Sequence, residues 1–184
     1  MGTTLLAAAL LHSIVTEERS CLDAFQGELD YLCRTLRRLG SRDGDLEDDV
    51  QDVFVVLNRN WSRYDPSRPL RPYLFGIAFR VASARKRRHR RELPYSVEEL
   101  TDRAPGPEEL FEAQQARALV LQALAQIPLP RRAVLVMHDI DEMPMRTIAD
   151  VLSLPLFTGY SRLRKARREF EVALETLRER ERQP

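Results

Sequence analysis

The chain has 184 residues, of which 43% are apolar and 31% charged, and its formal net charge is +1. This length allows one domain or two small ones, and the apolar fraction is enough to bury a core. Few glycines, few aromatic residues and few β-branched runs favour an all-α fold. The apolar run at residues 5–11 is short and follows no positive charge, so neither a membrane span nor a signal peptide is predicted.

Composition also argues against an enzyme or a metalloprotein. Cys21 and Cys33 lie in helical patterns without a CxxC or Cys/His cluster, so we predict no metal, and unpaired thiols fit a cytoplasmic protein. His12, His89 and His138 are better explained as helix residues than as catalytic groups. No carboxylate pair lies near a plausible nucleophile and no glycine-rich phosphate loop occurs, so no cofactor is expected.

In chain order, residues 1–16 form an N-terminal extension and residues 17–39 form the first predicted helix. Leucines and Phe25 recur there at three- and four-residue intervals, and Gly40 ends the helix. An acidic helix follows from about Asp45. Its buried stripe comprises Leu46, Val50, Val53, Phe54, Leu57 and Trp61.

The other side of the acidic helix carries Asp48, Gln51, Asp52, Val55 and Val56. A face that only meets water would not usually hold two valines among its carboxylates. This mixture predicts a contact surface for another protein.

A loop with Tyr, Arg and Pro leads from the acidic helix into a basic helix that ends near Arg91. Leu74, Ile77, Ala78 and Val81 form its core stripe, and no acid occurs from Arg71 to Arg91. Such a density of positive charge suits a polyanion. The alternative for either charged run is an ordinary solvated helix face.

Residues 92–107 lack periodicity and contain three prolines, which predicts a flexible linker before a second unit at residues 108–184. Helices are predicted there at residues 110–126, 131–140, 145–152 and 156–180. The last two, joined by a turn at residues 153–155, have the layout of a helix-turn-helix.

The outward face of the last helix combines hydroxyl and cationic side chains, a combination suited to the major groove. Its buried side comprises Leu163, Ala166 and Phe170. Thr158, Ser161, Arg164, Lys165 and Arg168 lie on the far side. The alternative is a helical hairpin with a charged surface.

Three segments together resemble the extracytoplasmic-function (ECF) group of the sigma-70 family of bacterial RNA polymerase sigma factors. DLEDDVQDVF at 45–54 is similar to the acidic motif of domain 2, and YLFGIAFRVASARKRR at 73–88 to its promoter-melting helix. Residues 124–167 are similar to domain 4, so the likeness covers residues 18–177. It implies two small helical domains, at residues 17–91 and 108–184, joined by the linker.

The resemblance implies a sigma factor that binds core RNA polymerase at the clamp helices of its largest subunit and at the β flap. The implied clamp contacts are Asp48, Asp49, Gln51, Asp52 and Val55. The implied contacts to the −10 element are Tyr64, as a stacking residue, and Arg68, Arg71, Arg80, Arg85, Lys86 and Arg87. The implied contacts to the −35 element are Thr158, Tyr160, Ser161, Arg162, Arg164, Lys165 and Arg168.

The sequence departs from the family pattern in both DNA-binding helices. The family commonly has Asn at Arg80 and Asp at Ala84, so the chain is more positive there. Its usual Gly-Thr-Val-Lys is Phe-Thr-Gly-Tyr at residues 157–160. Gly159 inside a helix costs about 1 kcal/mol relative to Ala, which predicts a looser entry turn. Tyr160 in place of Lys removes a phosphate-binding charge and predicts an altered or weaker −35 preference.

Two other functions fit parts of the sequence. A helix-turn-helix regulator would bind duplex DNA but not polymerase, and a helical protein-binding adaptor would show no salt-sensitive nucleic-acid binding. In the sigma family, an anti-sigma protein often covers the functional surfaces, but no residue here indicates where one would bind.

Overall fold

The structure is a computed structural model that describes residues 20–92 and 108–182. These residues form α-helices and short helical turns without a strand, which confirms the all-α prediction. The first half contains α1 (Cys21–Gly27), α2 (Leu29–Leu39), α3 (Asp43–Asn60), a 3₁₀ turn (Trp61–Arg63) and α4 (Leu70–Glu92). The second contains α5 (Glu108–Gln126), α6 (Leu129–Leu135), a π turn (Val136–Ile140), α7 (Met145–Val151) and α8 (Leu156–Arg182). The N-terminal extension and nearly all of the predicted linker lie outside the described residues.

The first predicted helix is two helices, so that prediction was wrong in detail. Ser20 begins α1, where its Oγ accepts a hydrogen bond from the Asp23 N–H at 3.1 Å. Glu28 then leaves helical geometry, with φ −112° and ψ 9°. Gly27 is a poor helix former, and the adjoining Glu28 carboxylate is bonded to Arg71 at 2.8 Å. Both features favour a break at this position.

The core of the first half lies where α2, α3 and α4 meet. Periodic apolar residues of the three helices are fully buried there: Leu32, Leu36, Val53, Leu57, Leu74 and Phe75. Phe25 of α1 covers one side, with its ring centroid 5.0 Å from that of Phe54. Val56, predicted on the outer face of α3, instead packs partly buried against this core.

The second half is held together by α8, which packs along α5, α6 and α7. Arg132 of α6 is buried, and its guanidinium donates to the carbonyls of Ala125 (2.6 Å) and Ile127 (3.0 and 3.2 Å). Those carbonyls lie at the end of α5, where no backbone N–H is available to them. Burial lowers the Arg132 pKa to about 10. A buried cation therefore closes the end of α5.

The two halves are in contact. Tyr31 Oη donates to Asp141 at 2.8 Å, and Arg38 Nη1 donates to the same carboxylate at 3.2 Å. Burial raises the pKa of Asp141, against the opposing effects of Tyr31 and Arg38. Gly76 of α4 also approaches α7 so closely that a Cβ there would lie 3.1 Å from Val151 Cγ1. The connection between the halves is therefore accompanied by a specific interface.

Candidate protein and nucleic-acid interfaces

The outer face of α3 presents the predicted mixture of acids and apolar surface. Asp48, Gln51 and Asp52 are exposed, and Val55 is 42% exposed. Neither Asp48 nor Asp52 forms an ion pair with a side chain that the structure describes. The spacing of these four side chains places them together on one side of the helix. This group, the acidic face, is open to a partner.

Asp49 does not belong to the acidic face, so its predicted contact with polymerase was wrong. It is 1% exposed, accepts a hydrogen bond from Ser41 Oγ and pairs with Arg85. Burial raises its pKa, while Ser41 and Arg85 act in the opposite direction. Asp49 lies four residues before the buried Val53, and this helical spacing could have shown that it points inward.

Arg85 was predicted to contact DNA, and the structure assigns it an internal role. Its guanidinium pairs with Asp45 at 3.0 Å and with Asp49, and it donates to the Asp45 carbonyl at 3.0 Å. Its side chain is only 27% exposed. Arg85 lies three residues after the buried Ala82, so it continues the core stripe of α4. This arginine links α4 to α3 and is not available to a phosphate.

The loop before α4 is organised by three aromatic rings. Tyr64 stacks on Trp61, with centroids 5.2 Å apart and planes 21° apart, and contacts Tyr73 at 5.3 Å. Tyr64 Oη also donates to the Arg68 carbonyl at 2.5 Å. Asp65 accepts from Ser67, which lowers the Asp65 pKa and tightens the turn. The predicted stacking residue is thus part of a preformed aromatic cluster.

The predicted cations around this loop differ in availability. Arg71 is bonded to Glu28 and lies over the Tyr31 ring, 5.1 Å from its centroid. The Arg68 side chain is 81% exposed and has only a distant contact with Asp65, at 3.6 Å. Other cations of α4 are exposed and form no ion pair within the described part of the chain: Arg80, Lys86 and Arg87.

A cleft of about 660 Å³ separates the aromatic loop from α7. Arg63, Tyr73 and Arg80 line it on one side, and Thr147 and Asp150 line it on the other. In this arrangement, the second half of the molecule forms one wall of the pocket beside the predicted −10 surface.

The helix-turn-helix of α7 and α8 is closely packed, so the expected looser entry turn was wrong. Ser153 adopts φ 51° in the turn, and Gly159 is buried inside α8. A Cβ on Gly159 would lie 2.6 Å from Met145 Sδ and 3.3 Å from Leu154 Cδ1. The absent side chain allows α8 to approach α7 at this point, an advantage that helix propensity alone does not capture.

The outward side of α8 is an open basic surface. Tyr160, Arg164, Lys165 and Arg168 are exposed, whereas Thr158, Ser161 and Arg162 are half-buried. The four cations of this surface form no ion pair with a described side chain: Arg162, Arg164, Lys165 and Arg168. By contrast, Arg167 on the flank is held by Asp139 at 2.6 and 2.8 Å.

Phe157, predicted only as a departure from the family pattern and not as a contact, also lies on this surface. Phe157 is 83% exposed, the highest value among the exposed large apolar residues that the structure describes. It is spaced by four, seven and eleven residues from Ser161, Arg164 and Arg168, which places all four along one stripe of the helix. That spacing was visible in the sequence.

Comparison with known families identifies the class of protein. Sigma-70 region 2 matches residues 24–92, and Sigma-70 region 4 matches residues 117–170, so the two matches together cover more than half of the chain. The chain belongs to the sigma-70 family, in its ECF group. It is accordingly a polymerase-binding factor for transcription initiation, with core RNA polymerase and promoter DNA as partners.

Individual relatives agree with this assignment. The chain is 29% identical over 154 residues to the RNA polymerase sigma factor CnrH of Cupriavidus metallidurans, covering 78% of this chain and 81% of the relative. Its fold is similar to that of the sigma factor RpoE bound to the anti-sigma factor NepR from Bartonella quintana. That structure gives a TM-score of 0.65 at 20% identity and covers 83% and 98% of the two chains. CnrH bound to the cytosolic domain of CnrY gives 0.61 at 23% identity, with coverage of 88% and 91%.

No group of His, Cys, Asp and Glu among the described residues could hold a metal ion, and both cysteines are free thiols. Within residues 20–92 and 108–182, no helix is long and apolar enough to cross a bilayer.

Proposed function

We propose that this sigma factor docks on the polymerase through the acidic face, holds the opened −10 strand near the Trp61–Tyr73 loop and recognises the −35 element through α8. The observation that carries the proposal is that one chain bears an open acidic and apolar face and, separately, a row of cations that form no ion pair with a described side chain. A regulator acting on DNA alone would need only the second.

Docking through the acidic face rests on its composition and availability. Asp48 and Asp52 are one helical turn apart, and Val55 lies beside them. Unpaired carboxylates steer a basic partner into place, while the exposed valine gives apolar area that becomes buried on binding. The clamp helices of the largest subunit are the proposed partner of this face, and the β flap that of the second half.

The −10 surface rests on the aromatic loop and the exposed cations near it. A base removed from the duplex loses its stacking partners. An aromatic side chain can take their place, and stacking on it stabilises the bound base by about 1 to 3 kcal/mol. Trp61, Tyr64 and Tyr73 supply the rings, while Arg68 and Arg80 supply charge for the backbone. Tyr64 already contacts two rings, so a base would stack on the cluster or displace one of its members.

The −35 surface rests on the cations on the outward side of α8, which form no ion pair with a described side chain. A recognition helix lies in the major groove with its N-terminal residues at the base edges, and basic residues further along meet phosphates. Arg164, Lys165 and Arg168 are placed for phosphates or guanine edges, and Ser161 for a phosphate oxygen.

The docking proposal is tested by reversing two charges on the acidic face. Asp48→Lys with Asp52→Lys should weaken binding of the full chain to core polymerase at least tenfold and leave helix content unchanged. Glu171→Lys with Glu175→Lys is the matched control, because these exposed acids are also four residues apart. Equal polymerase affinity for both double variants would reject the docking assignment.

A protein inhibitor is also proposed. The sigma factors in two structurally similar complexes are bound to the anti-sigma factors NepR and CnrY. A partner of this kind would cover the surfaces that polymerase and DNA use. Competition for core polymerase in a binding assay would reveal it.

A further inference from the structure

The exposed phenylalanine of α8 is unusual because the residues that the structure describes leave its ring uncovered. Phe157 is the second residue of the helix and is largely exposed. Leu156 and Tyr160 beside it are 42% and 55% exposed. Such a grouping of apolar side chains on a charged helix indicates a binding role rather than a folding role.

The surroundings of Phe157 indicate that its partner is duplex DNA. The stripe through Phe157 continues with Ser161, Arg164 and Arg168, and the whole stripe is about 16 Å long at 1.5 Å per residue. Arg164 and Arg168 have no acidic partner among the described residues, so the stripe complements a polyanion. It presents an apolar tip followed by hydroxyl and guanidinium groups.

The order of side chains along this stripe matches the order in which a recognition helix contacts the parts of a DNA duplex. The N-terminal residues approach the base edges on the floor of the major groove, and later residues approach the backbone. On that floor, the C5 methyl of thymine is the apolar group that distinguishes one base from the others. An aromatic ring at the tip has no hydrogen bond to offer, so a methyl group is the feature it can recognise.

We propose that Phe157 contacts a thymine C5 methyl in the −35 element and makes thymine the preferred base at that position. The inference rests on the proposed role of α8 in DNA recognition and adds a specificity-determining residue to it. Arg164 and Arg168 would supply affinity that depends little on sequence, whereas Phe157 would supply sequence preference.

The test replaces thymine by uracil, which pairs identically and lacks only the methyl group. Duplexes bound by the full chain are first selected from a random library without polymerase, and each thymine of the selected site is then changed singly to uracil. The unaltered protein should bind the uracil duplex about three- to fivefold more weakly at one or two positions, as expected for loss of one buried methyl.

Variants assign the effect to this ring. Phe157→Ala should bind thymine and uracil duplexes equally, while Phe157→Leu should retain part of the discrimination. Val172→Ala is the control, because Val172 is also exposed and apolar on α8 (62%) but lies 15 residues further along. It should discriminate as the unaltered protein does.

Several outcomes overturn the inference: full discrimination by Phe157→Ala, no uracil effect with the unaltered protein, or no duplex selected at all. Start-site selection with core polymerase is measured separately. Methyl discrimination without start-site selection would reject the proposed function and keep the inference. Start-site selection without methyl discrimination would reject the inference alone.

Discussion

The two basic helices, α4 and α8, look alike in sequence and differ in how much of their charge is available. In α4, Arg71 is paired with Glu28 and Arg85 with two acids of α3, whereas Arg80, Lys86 and Arg87 form no ion pair with a described side chain. On the outer side of α8, Arg162, Arg164, Lys165 and Arg168 have no such partners in the described chain. The difference arises because α4 packs beside the acid-rich α3, whereas the outer side of α8 is exposed among the described residues. The number of basic residues in a helix is therefore an upper limit on the number that can contact DNA.

The largest expected effect separates a structural arginine from a surface one. Arg85→Ala leaves the buried Asp49 carboxylate without its cation, and breaking such a pair costs about 3 to 5 kcal/mol. Arg87→Ala, at an exposed position of the same helix, should change the free energy of unfolding by less than about 0.5 kcal/mol. Urea unfolding of the full chain measures both. Equal stability of the two variants would contradict the internal role of Arg85.

The next effect concerns the free charges of α8. Removal of two phosphate contacts by Arg164→Ala with Lys165→Ala should reduce the slope of log affinity against log salt concentration by about 2. The same change at Arg131 and Arg167, which are held by Glu169 and Asp139, should leave the slope nearly unaltered. Fluorescence anisotropy with duplex DNA over a range of salt concentrations provides the measurement. A similar loss of slope in both double variants would show that pairing does not decide availability.

A smaller effect is expected where the backbones of these helices approach their neighbours. Gly159→Ala gains about 1 kcal/mol of helix propensity but forces Met145 to move, at a cost of about 1 to 3 kcal/mol. A net loss of about 1 kcal/mol in thermal unfolding follows. Gly44→Ala is the control, since a Cβ there meets nothing within 4 Å. Stabilisation by Gly159→Ala would mean that the Met145 side chain moves away freely.

The smallest effects are pH dependences of opposite sign in two nearby carboxylates. Arg167 lowers the pKa of Asp139, so the stability this group adds is present above its unfolded pKa and is lost as pH falls through the folded value. Burial raises the pKa of Asp141, so its contribution is complete below about pH 4 and declines as pH rises through the folded value.

Unfolding free energies from pH 3 to 7 test both signs. The difference between the unaltered protein and Asp141→Asn should shrink as pH rises above about 4. The difference in unfolding free energy between the unaltered protein and Asp139→Asn should stay constant above about pH 4 and shrink only at lower pH. The same trend in both variants would contradict one of the two shifts.

Much of the fold could be predicted because it follows from local pattern. The apolar spacing of Val53 and Leu57, or of Leu163 and Ala166, fixes which side of each helix is buried. The break at Glu28 was missed because the apolar spacing continues through it. The pairing of Asp49 with Arg85 joins residues 36 positions apart, and a one-dimensional charge pattern does not show which charges meet across a core.

The candidate sites were predictable to a different extent. Asp48, Asp52 and Val55 lie on the predicted face because that face depends only on helical periodicity. The availability of Arg71, Arg80 and the other cations depends on neighbouring helices, so sequence reasoning could not separate paired from unpaired ones. The predicted contacts on α8 are all polar or charged side chains, so the apolar Phe157 is not among them.

The contact of Tyr31 and Arg38 with Asp141 has a consequence for engineering new transcription factors from this scaffold. The three residues lie in different halves of the molecule, and the carboxylate is nearly enclosed, with 7% of its side chain exposed. A chimaera that joined one half to the matching half of another sigma factor would leave either Asp141 without its hydrogen-bond donors or Tyr31 and Arg38 without their acceptor. Promoter specificities should therefore be exchangeable only when Tyr31, Arg38 and Asp141, with the facing pair Gly76 and Val151, are transplanted as one set.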